Sequence, residues 1–413
     1  MLFGSKIVFF NKILFGTIAV CLEKPSIIIY IFIIDFAQSC MLYLVGIILS
    51  IFLCLLLLMK RKYFFSDKVL MTWMAVMAVH QLSFYTLYTG YALKHTAILG
   101  FGLAMPVLHG PLLFLYVSSM TPERRIRFSK MVPHFIPFIL LNVLAIPFFI
   151  LSPEEKLRVF YNHGEDFRWY IVIQQIFIVT TGLGYVLWSL LLIHRHRNQV
   201  KQWFSNTEKR NLRWLEYLSI GLGLIWVLVI FFHDDVIFAG VVVLVLFIGF
   251  FGINQLPIFY NWQEIEPGKP GPPTQTDVEL KEPVTTEFES SVRYAKSGLK
   301  EEEAKALHFR LTELMEKEAL YKKNDLTLQD LANRLDTPPN YLSQVINEME
   351  HKNFYNYINS LRVREFIRSA SRGETKSYTL LALAFDSGFN SKSTFNKYFK
   401  ESTGKSPSEY FSV

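Results

Sequence analysis

Two short polar sets near the C-terminus have the residue types and spacing to read hydrogen-bond donors and acceptors on a partner surface. The first is Asn340, Tyr341, Ser343, Gln344 and Asn347, and the second is Lys392, Ser393, Asn396, Lys397 and Lys400. Their intervals place each set on one stripe of a helix. Leu342 and Ile346 lie opposite the first stripe, and Phe395 and Phe399 opposite the second. Asn and Gln can bond adenine through two hydrogen bonds at once, and Lys can bond guanine or phosphate. A plain solvated face has the same composition, so the elements that carry the stripes must decide.

A third candidate lies far upstream. His80 and His109 fall inside long apolar runs, where an ionisable side chain is a functional hypothesis by default. They form a candidate sensor site, and the competing reading is an interhelical hydrogen bond. The run around His109 contains Gly100, Gly102, Pro106, Gly110 and Pro111, so it should be kinked and could open a cavity. Catalysis finds no support: the polar half has no glycine-rich phosphate loop, nucleophile elbow or metal-ligand spacing. The three cysteines, Cys21, Cys40 and Cys54, all precede it, which excludes a zinc finger or a disulfide framework there. The expectation is a non-enzyme without metal or cofactor.

Composition divides the 413 residues into two parts. The first 260 or so hold long apolar runs, and the remainder is polar and charged, which predicts a membrane domain followed by a soluble one. Seven runs approach the roughly 20 apolar residues of a spanning helix: 42–59, 69–90, 97–118, 132–151, 169–193, 214–232 and 236–256. Lysines and arginines alternate between their loops, 14 after the first, third and fifth runs against 4 after the second and fourth. An excess of Lys and Arg marks the cytoplasmic side, so the last run should end inside. Residues 1–40 contain two shorter apolar runs interrupted by Lys12 and Asp35. They are expected to be an N-terminal extension arising from a misplaced gene start at Met1, with Met41 as the true one; an eighth hydrophobic helix is the competing reading.

Residues 261–300 form a Pro-rich acidic linker that cannot bury enough apolar surface to order itself. A helix is predicted at 301–325, where Leu307, Leu311, Leu314, Met315 and Leu320 make a stripe suited to coupling or dimerisation. From 326 the helices are short. Thr327 and Asp330 have the spacing of a capping box, and Pro338 and Pro339 interrupt the pattern before a helix from about 339 to 349. A longer helix follows at about 354–370, then a second short pair at 380–386 and 391–402. Gly388 lies between them and is free to take positive φ.

Two such pairs joined by one helix are far more specific than one. With LTLQDLANRL, PNYLSQVIN, NFYNYINSLRV and GFNSKSTFNKYFKESTGKSPSEY, residues 326–413 resemble the AraC-type DNA-binding domain. The resemblance implies two recognition helices entering successive major grooves, and double-stranded promoter DNA as partner. From residue 326 onward 11 basic residues face 9 acidic ones, so specificity should rest on side-chain contacts more than on bulk attraction. Arg362, Arg364, Arg368 and Arg372 either touch DNA or pair with Glu365 and Glu374.

The expected architecture is therefore all-α, a polytopic seven-helix transmembrane domain followed by a soluble double helix-turn-helix domain. The expected function is a one-component regulator in the bacterial inner membrane with its C-terminal domain in the cytoplasm. Its partners would be promoter DNA, the lipid bilayer, an envelope signal, a second copy as a homodimer, and RNA polymerase if it activates. Two rivals stay open: a transporter or enzyme domain with an appended DNA module, and an interaction module that reads no DNA.

Overall fold

The computed structural model describes residues 25–60, 64–121, 128–208, 212–232, 234–254, 299–372 and 378–411. The expected linker up to residue 298 and most of residues 1–40 lie outside this set, as do Arg124, Arg125, Arg127, Lys209, Arg210, His233 and Glu374. The chain divides into two compact units. The first comprises Met1–His194 with Leu212–Gln275, and the second Arg195–Asn211 with Thr276–Val413. Within the described residues both are helical, with a single isolated bridge between Phe204 and Thr327.

Unit 1 is built on α1 (Pro25–Leu58), α2 (Phe65–Tyr88), α3 (Pro106–Ser119), α4 (Ile136–Leu144), α5 (Pro153–Tyr161), α6 (Arg168–Trp203), α7 (Arg213–Phe231) and α8 (Asp234–Asn254). Helix α1 packs on α2 and α8, α2 on α3, and α7 on α8. Trp73, Leu113, Leu215 and Val245 are fully buried at the centre. The first helix extends well upstream of residue 42, because the largely apolar stretch from Ile27 continues it, with Asp35 inside the helix.

The expectation of seven spans needs correction. Among the described residues three helices are long and apolar enough to cross a membrane: Cys40–Leu58, Glu165–Trp203 and Arg213–Phe231. Val132–Leu144 and Val236–Phe251 are apolar but shorter. Hydropathy counts residues, whereas a span needs a continuous helix. The run at 97–118 is split, with a left-handed Gly100 before α3. The run at 132–151 breaks into single turns and α4 around Pro133, Pro137 and Pro147, where proline removes a helical hydrogen bond. Helix α2 is long enough but carries Asp67, Lys68, His80 and Gln81.

Unit 2 contains α9 (Glu301–Glu318), α10 (Leu328–Arg334), α11 (Pro339–Met349), α12 (Phe354–Ser371), α13 (Leu380–Asp386), α14 (Lys392–Thr403) and α15 (Pro407–Phe411). Local chemistry sets these boundaries. Thr327 and Asp330 make the reciprocal capping box at α10; Asn353, Thr379 and Ser391 cap α12, α13 and α14. Pro339 opens α11, where its missing N–H is harmless. Left-handed Gly404 closes α14.

Two cores share one helix. The first gathers α9, α10, α11 and the start of α12, with Leu311, Leu331, Ile346 and Ile358 wholly buried. The second gathers the rest of α12 with α13 and α14 around Phe366, Phe389, Phe395 and Phe399. Phe395 lies 4.6 Å from Phe366 between ring centroids and Phe399 5.5 Å, in the tilted and edge-on geometries such rings prefer. The stripe of α9 is spent inside: Ala304, Leu307, Leu311 and Met315 are buried in the first core. The stripe expected to serve coupling or dimerisation is thus a face packed within unit 2.

Candidate nucleic-acid interface

The periodicity that buries Leu342, Val345 and Ile346 turns the other side of α11 outward. Asn340 and Asn347 are exposed, while Ser343 and Gln344 are half-buried. Tyr341 is only partly available, because its ring packs against the first core. Gln344 Nε2 donates to Glu348 Oε1 at 3.1 Å, and Asn347 Nδ2 to Ser343 Oγ at 3.5 Å. On α14, Phe395, Tyr398 and Phe399 are buried while Lys392, Ser393, Lys397 and Lys400 are exposed and Asn396 is half-buried. Lys397 lies 3.8 Å from Glu401 and 5.5 Å from the centroid of the Tyr398 ring. Each polar set thus stands on one side of its helix, and each helix is rooted in its own core.

The four arginines of α12 separate into different roles. Arg368 pairs with Glu365, which also pairs with Lys322 at 2.8 Å and accepts from Tyr321 Oη at 3.2 Å. Burial alone would raise the Glu365 pKa, but the Lys322 ammonium, with Arg368 and Tyr321, holds it below the usual carboxylate range. Arg364 and Arg372 are exposed.

Arg362 is buried at the seam between the two cores, only 1% exposed. Its Nε donates to Tyr321 O at 2.8 Å and its Nη2 to Lys323 O at 2.8 Å. It also donates to Ser205 O and Ser205 Oγ, each at 3.3 Å, and to Asn359 Oδ1 at 3.4 Å. Burial brings the guanidinium down to about 10, so it remains charged at neutral pH. Gly388, at φ +98°, lies against the same seam; a Cβ there would stand 2.6 Å from Tyr321 O and 3.0 Å from Arg362 Nε. The turn before α14, the segment 320–323 and Arg362 therefore form one packed junction.

The partner of Arg362 that sequence reasoning missed is the segment Arg195–Asn211, which follows the fifth apolar run. Ser205 N donates to Leu326 O at 3.1 Å, Phe204 bridges Thr327, and Trp203 packs on the first core. Beyond it, Glu208 meets the start of α14. The Ser391 hydroxyl donates to Glu208 Oε1, and Thr394 Oγ1 donates to it at 3.0 Å. A carboxylate is favoured at a helix N-terminus, and this one shares the first turn of α14 with Lys392 and Ser393. No local pattern announces contacts across more than 150 residues.

In unit 1 the structure brings His80 and His109 together. His80 Nδ1 is 3.0 Å from His109 Nε2, and Trp73 Nε1 donates to His109 Nδ1 at 3.2 Å. No group of three or more His, Cys, Asp or Glu side chains suited to a metal ion occurs among the described residues.

Residues 331–412 match a family model described as a helix-turn-helix domain. The match covers α11 through α15 and most of α10. No curated protein and no solved structure matches the chain significantly. With its two helix pairs and shared α12, the C-terminal region carries a helix-turn-helix domain, and the match supports a DNA-binding transcription regulator of AraC type.

Proposed function

We propose that this chain is a membrane-anchored, one-component transcription regulator that reads promoter DNA through α11 and α14 and receives its signal through unit 1. The observation that carries the reading is the pair of outward polar stripes, each on a helix rooted in its own core and both joined through α12. Asn340, Ser343, Gln344 and Asn347 in one groove, and Lys392, Ser393, Asn396, Lys397 and Lys400 in the next, supply base and phosphate contacts. Tyr341 contributes its exposed edge. A second copy of the chain and RNA polymerase are further proposed partners.

Membrane anchoring is supported by apolar side chains left exposed on unit 1. Leu55, Leu191, Leu224, Val243 and Phe250 are all more than half exposed, and water would penalise such a surface. The docked segment supports a topology. Arg195–Asn211 and the helix-turn-helix domain belong to one unit, so both lie on one side of the bilayer. The chain between them must cross an even number of times. Helix α7 is long and apolar enough to cross; α8, whose apolar stretch is shorter but which is 21 residues long with its flanks and so about 31 Å, would carry the chain back. Together with the Lys and Arg bias, this supports a cytoplasmic unit 2 and the inner bacterial membrane as the location.

Glu208 supplies a route for control. Its charge at the first turn of α14 repels an incoming phosphate, so release of the segment favours DNA binding. A signal that favours the released state over the docked one shifts the output by that difference. The test is selection of genomic fragments by the full chain in lipid nanodiscs at moderate salt. A recurring sequence is expected; recovery of fragments without sequence preference would overturn the proposal.

A further inference from the structure

Residues 203–208 touch both halves of the helix-turn-helix domain. At one end Trp203 packs on the first core, Phe204 bridges Thr327, and Ser205 N donates to Leu326 O at 3.1 Å. At the other end Glu208 Oε1 accepts from the hydroxyls of Ser391 and Thr394 at the start of α14. Ser391 caps α14, whose Phe395 and Phe399 belong to the second core. Between the two ends, Arg362 donates from the seam to Ser205 O and Ser205 Oγ. Asn206 Oδ1 accepts from Glu208 N at 3.1 Å, a local turn that sets the direction in which the chain leaves Ser205.

Such a tie has no slack. Six residues reach about 20 Å when fully extended, and the turn at Asn206 shortens that reach. One half cannot swing away from the other unless an anchor at one end lets go. The tie matters because a single helix, α12, joins the two cores, and each core carries one reading helix. Readers in successive major grooves stand about 34 Å apart. Over that distance a rotation of about 6° moves one of them by about 3.4 Å, the rise of one base pair. Arg362 also donates to Tyr321 O and Lys323 O, each at 2.8 Å. Ser205 therefore shares its guanidinium with the loop against which Gly388 packs.

We propose that Ser205 and Glu208 are positioning residues for DNA specificity: they strap the two halves together and so fix the number of base pairs between the blocks read by α11 and α14. The inference deepens the regulator reading and rests on it. It gives the docked segment a second effect, separate from the charge of Glu208. Docking selects operators by spacing, and release admits operators whose two blocks lie one base pair nearer or farther. The two effects separate by chemistry. Glu208→Gln keeps a side-chain oxygen that accepts from both hydroxyls but loses the charge, whereas Glu208→Ala loses both. Glu208 is exposed, so neither substitution disturbs a core.

The test uses the full chain in nanodiscs and the recurring sequence that it selects from genomic fragments. Duplexes with one base pair inserted or removed between the two blocks are titrated in competition with the original. The unaltered chain should bind the altered spacings at least tenfold more weakly. Glu208→Ala, and more fully Ser205→Ala combined with Glu208→Ala, should cut that penalty below threefold while base preference within each block is unchanged. Glu208→Gln should keep the tenfold penalty. A penalty absent from the unaltered chain, unchanged in the double variant, or lost equally in Glu208→Gln would overturn the inference. Loss of base preference within either block would also overturn it, because that marks a merely structural role. Fragments recovered without any sequence preference would fail the regulator reading itself, an outcome distinct from two blocks read at any spacing.

Discussion

Substituting Gly388 by alanine tests the junction that ties the second helix pair to the rest of the domain. Two costs combine there. Gly388 sits at φ +98°, where a Cβ costs about 1–2 kcal/mol. The new Cβ would also stand 2.6 Å from Tyr321 O and 2.8 Å from Lys322 Cα, both backbone atoms that cannot swing away. Relief requires shifting the Tyr321 carbonyl off the Arg362 guanidinium, which it accepts from at 2.8 Å; a hydrogen bond to a charged group is worth about 1.5–3 kcal/mol. The total is about 2.5–5 kcal/mol. Gly404→Ala provides the control, since it shares positive φ (+77°) but its Cβ would meet nothing within 4 Å. Amide hydrogen exchange of the full chain in nanodiscs reads local stability directly. Protection in α12 and α14 should fall by roughly 10²–10³-fold or more for Gly388→Ala, and by about tenfold for Gly404→Ala. Equal effects of the two substitutions would show that the close approach carries no energy and would refute the junction as described.

Further outcomes follow from the interface and its surroundings. Glu208→Gln removes the charge at the start of α14 and should tighten DNA binding two- to fivefold, about 0.3–1 kcal/mol, measured by titration of the full chain; weaker binding would mean the contact assists DNA. Gln344→Ala should relax base preference at one position by about 1–3 kcal/mol, whereas Lys397→Ala should weaken binding to all sequences and lower the salt slope by about one. Phe399→Ala empties the centre of the second core and should cost about 3–5 kcal/mol, seen as loss of exchange protection in α13 and α14 while α10 and α11 retain theirs. The Glu365 carboxyl is held below its ordinary value. Its contribution is therefore present above about pH 4.3 and disappears as pH falls through the lower folded value. Glu365→Gln should flatten that acid limb.

Most of unit 2 was legible in the sequence because its signals are local. The Thr327 and Asp330 pairing, Pro339, the three- and four-residue spacing of Leu342 and Ile346, and Gly388 each act within one or two turns, and α11 and α13 fall where that spacing places them. What local pattern could not give is destination. Arg362 reads as one of four basic residues on a helix, yet it is placed at the meeting of two cores, where its neighbours come from Tyr321, Lys323 and Ser205. The stripe on α9 has the period of a dimer seam and is consumed internally. Apolar content likewise suggested seven spans, but Pro133, Pro137 and Pro147 cut the helix without lowering hydropathy. His80 and His109 were identifiable as unusual; their direct hydrogen bond depends on how α2 meets α3.

The docking of Arg195–Asn211 has a consequence for modularity. A helix-turn-helix domain is commonly treated as a cassette that can be cut at its linker and grafted elsewhere. Here the folded unit is discontinuous along the chain, because Ser205 completes the coordination of a buried guanidinium. A graft that begins after the linker would leave that charge short of acceptors. Recombination between relatives of this protein would have to exchange both pieces together, so the end of α6 and the DNA reader should be inherited as a matched pair.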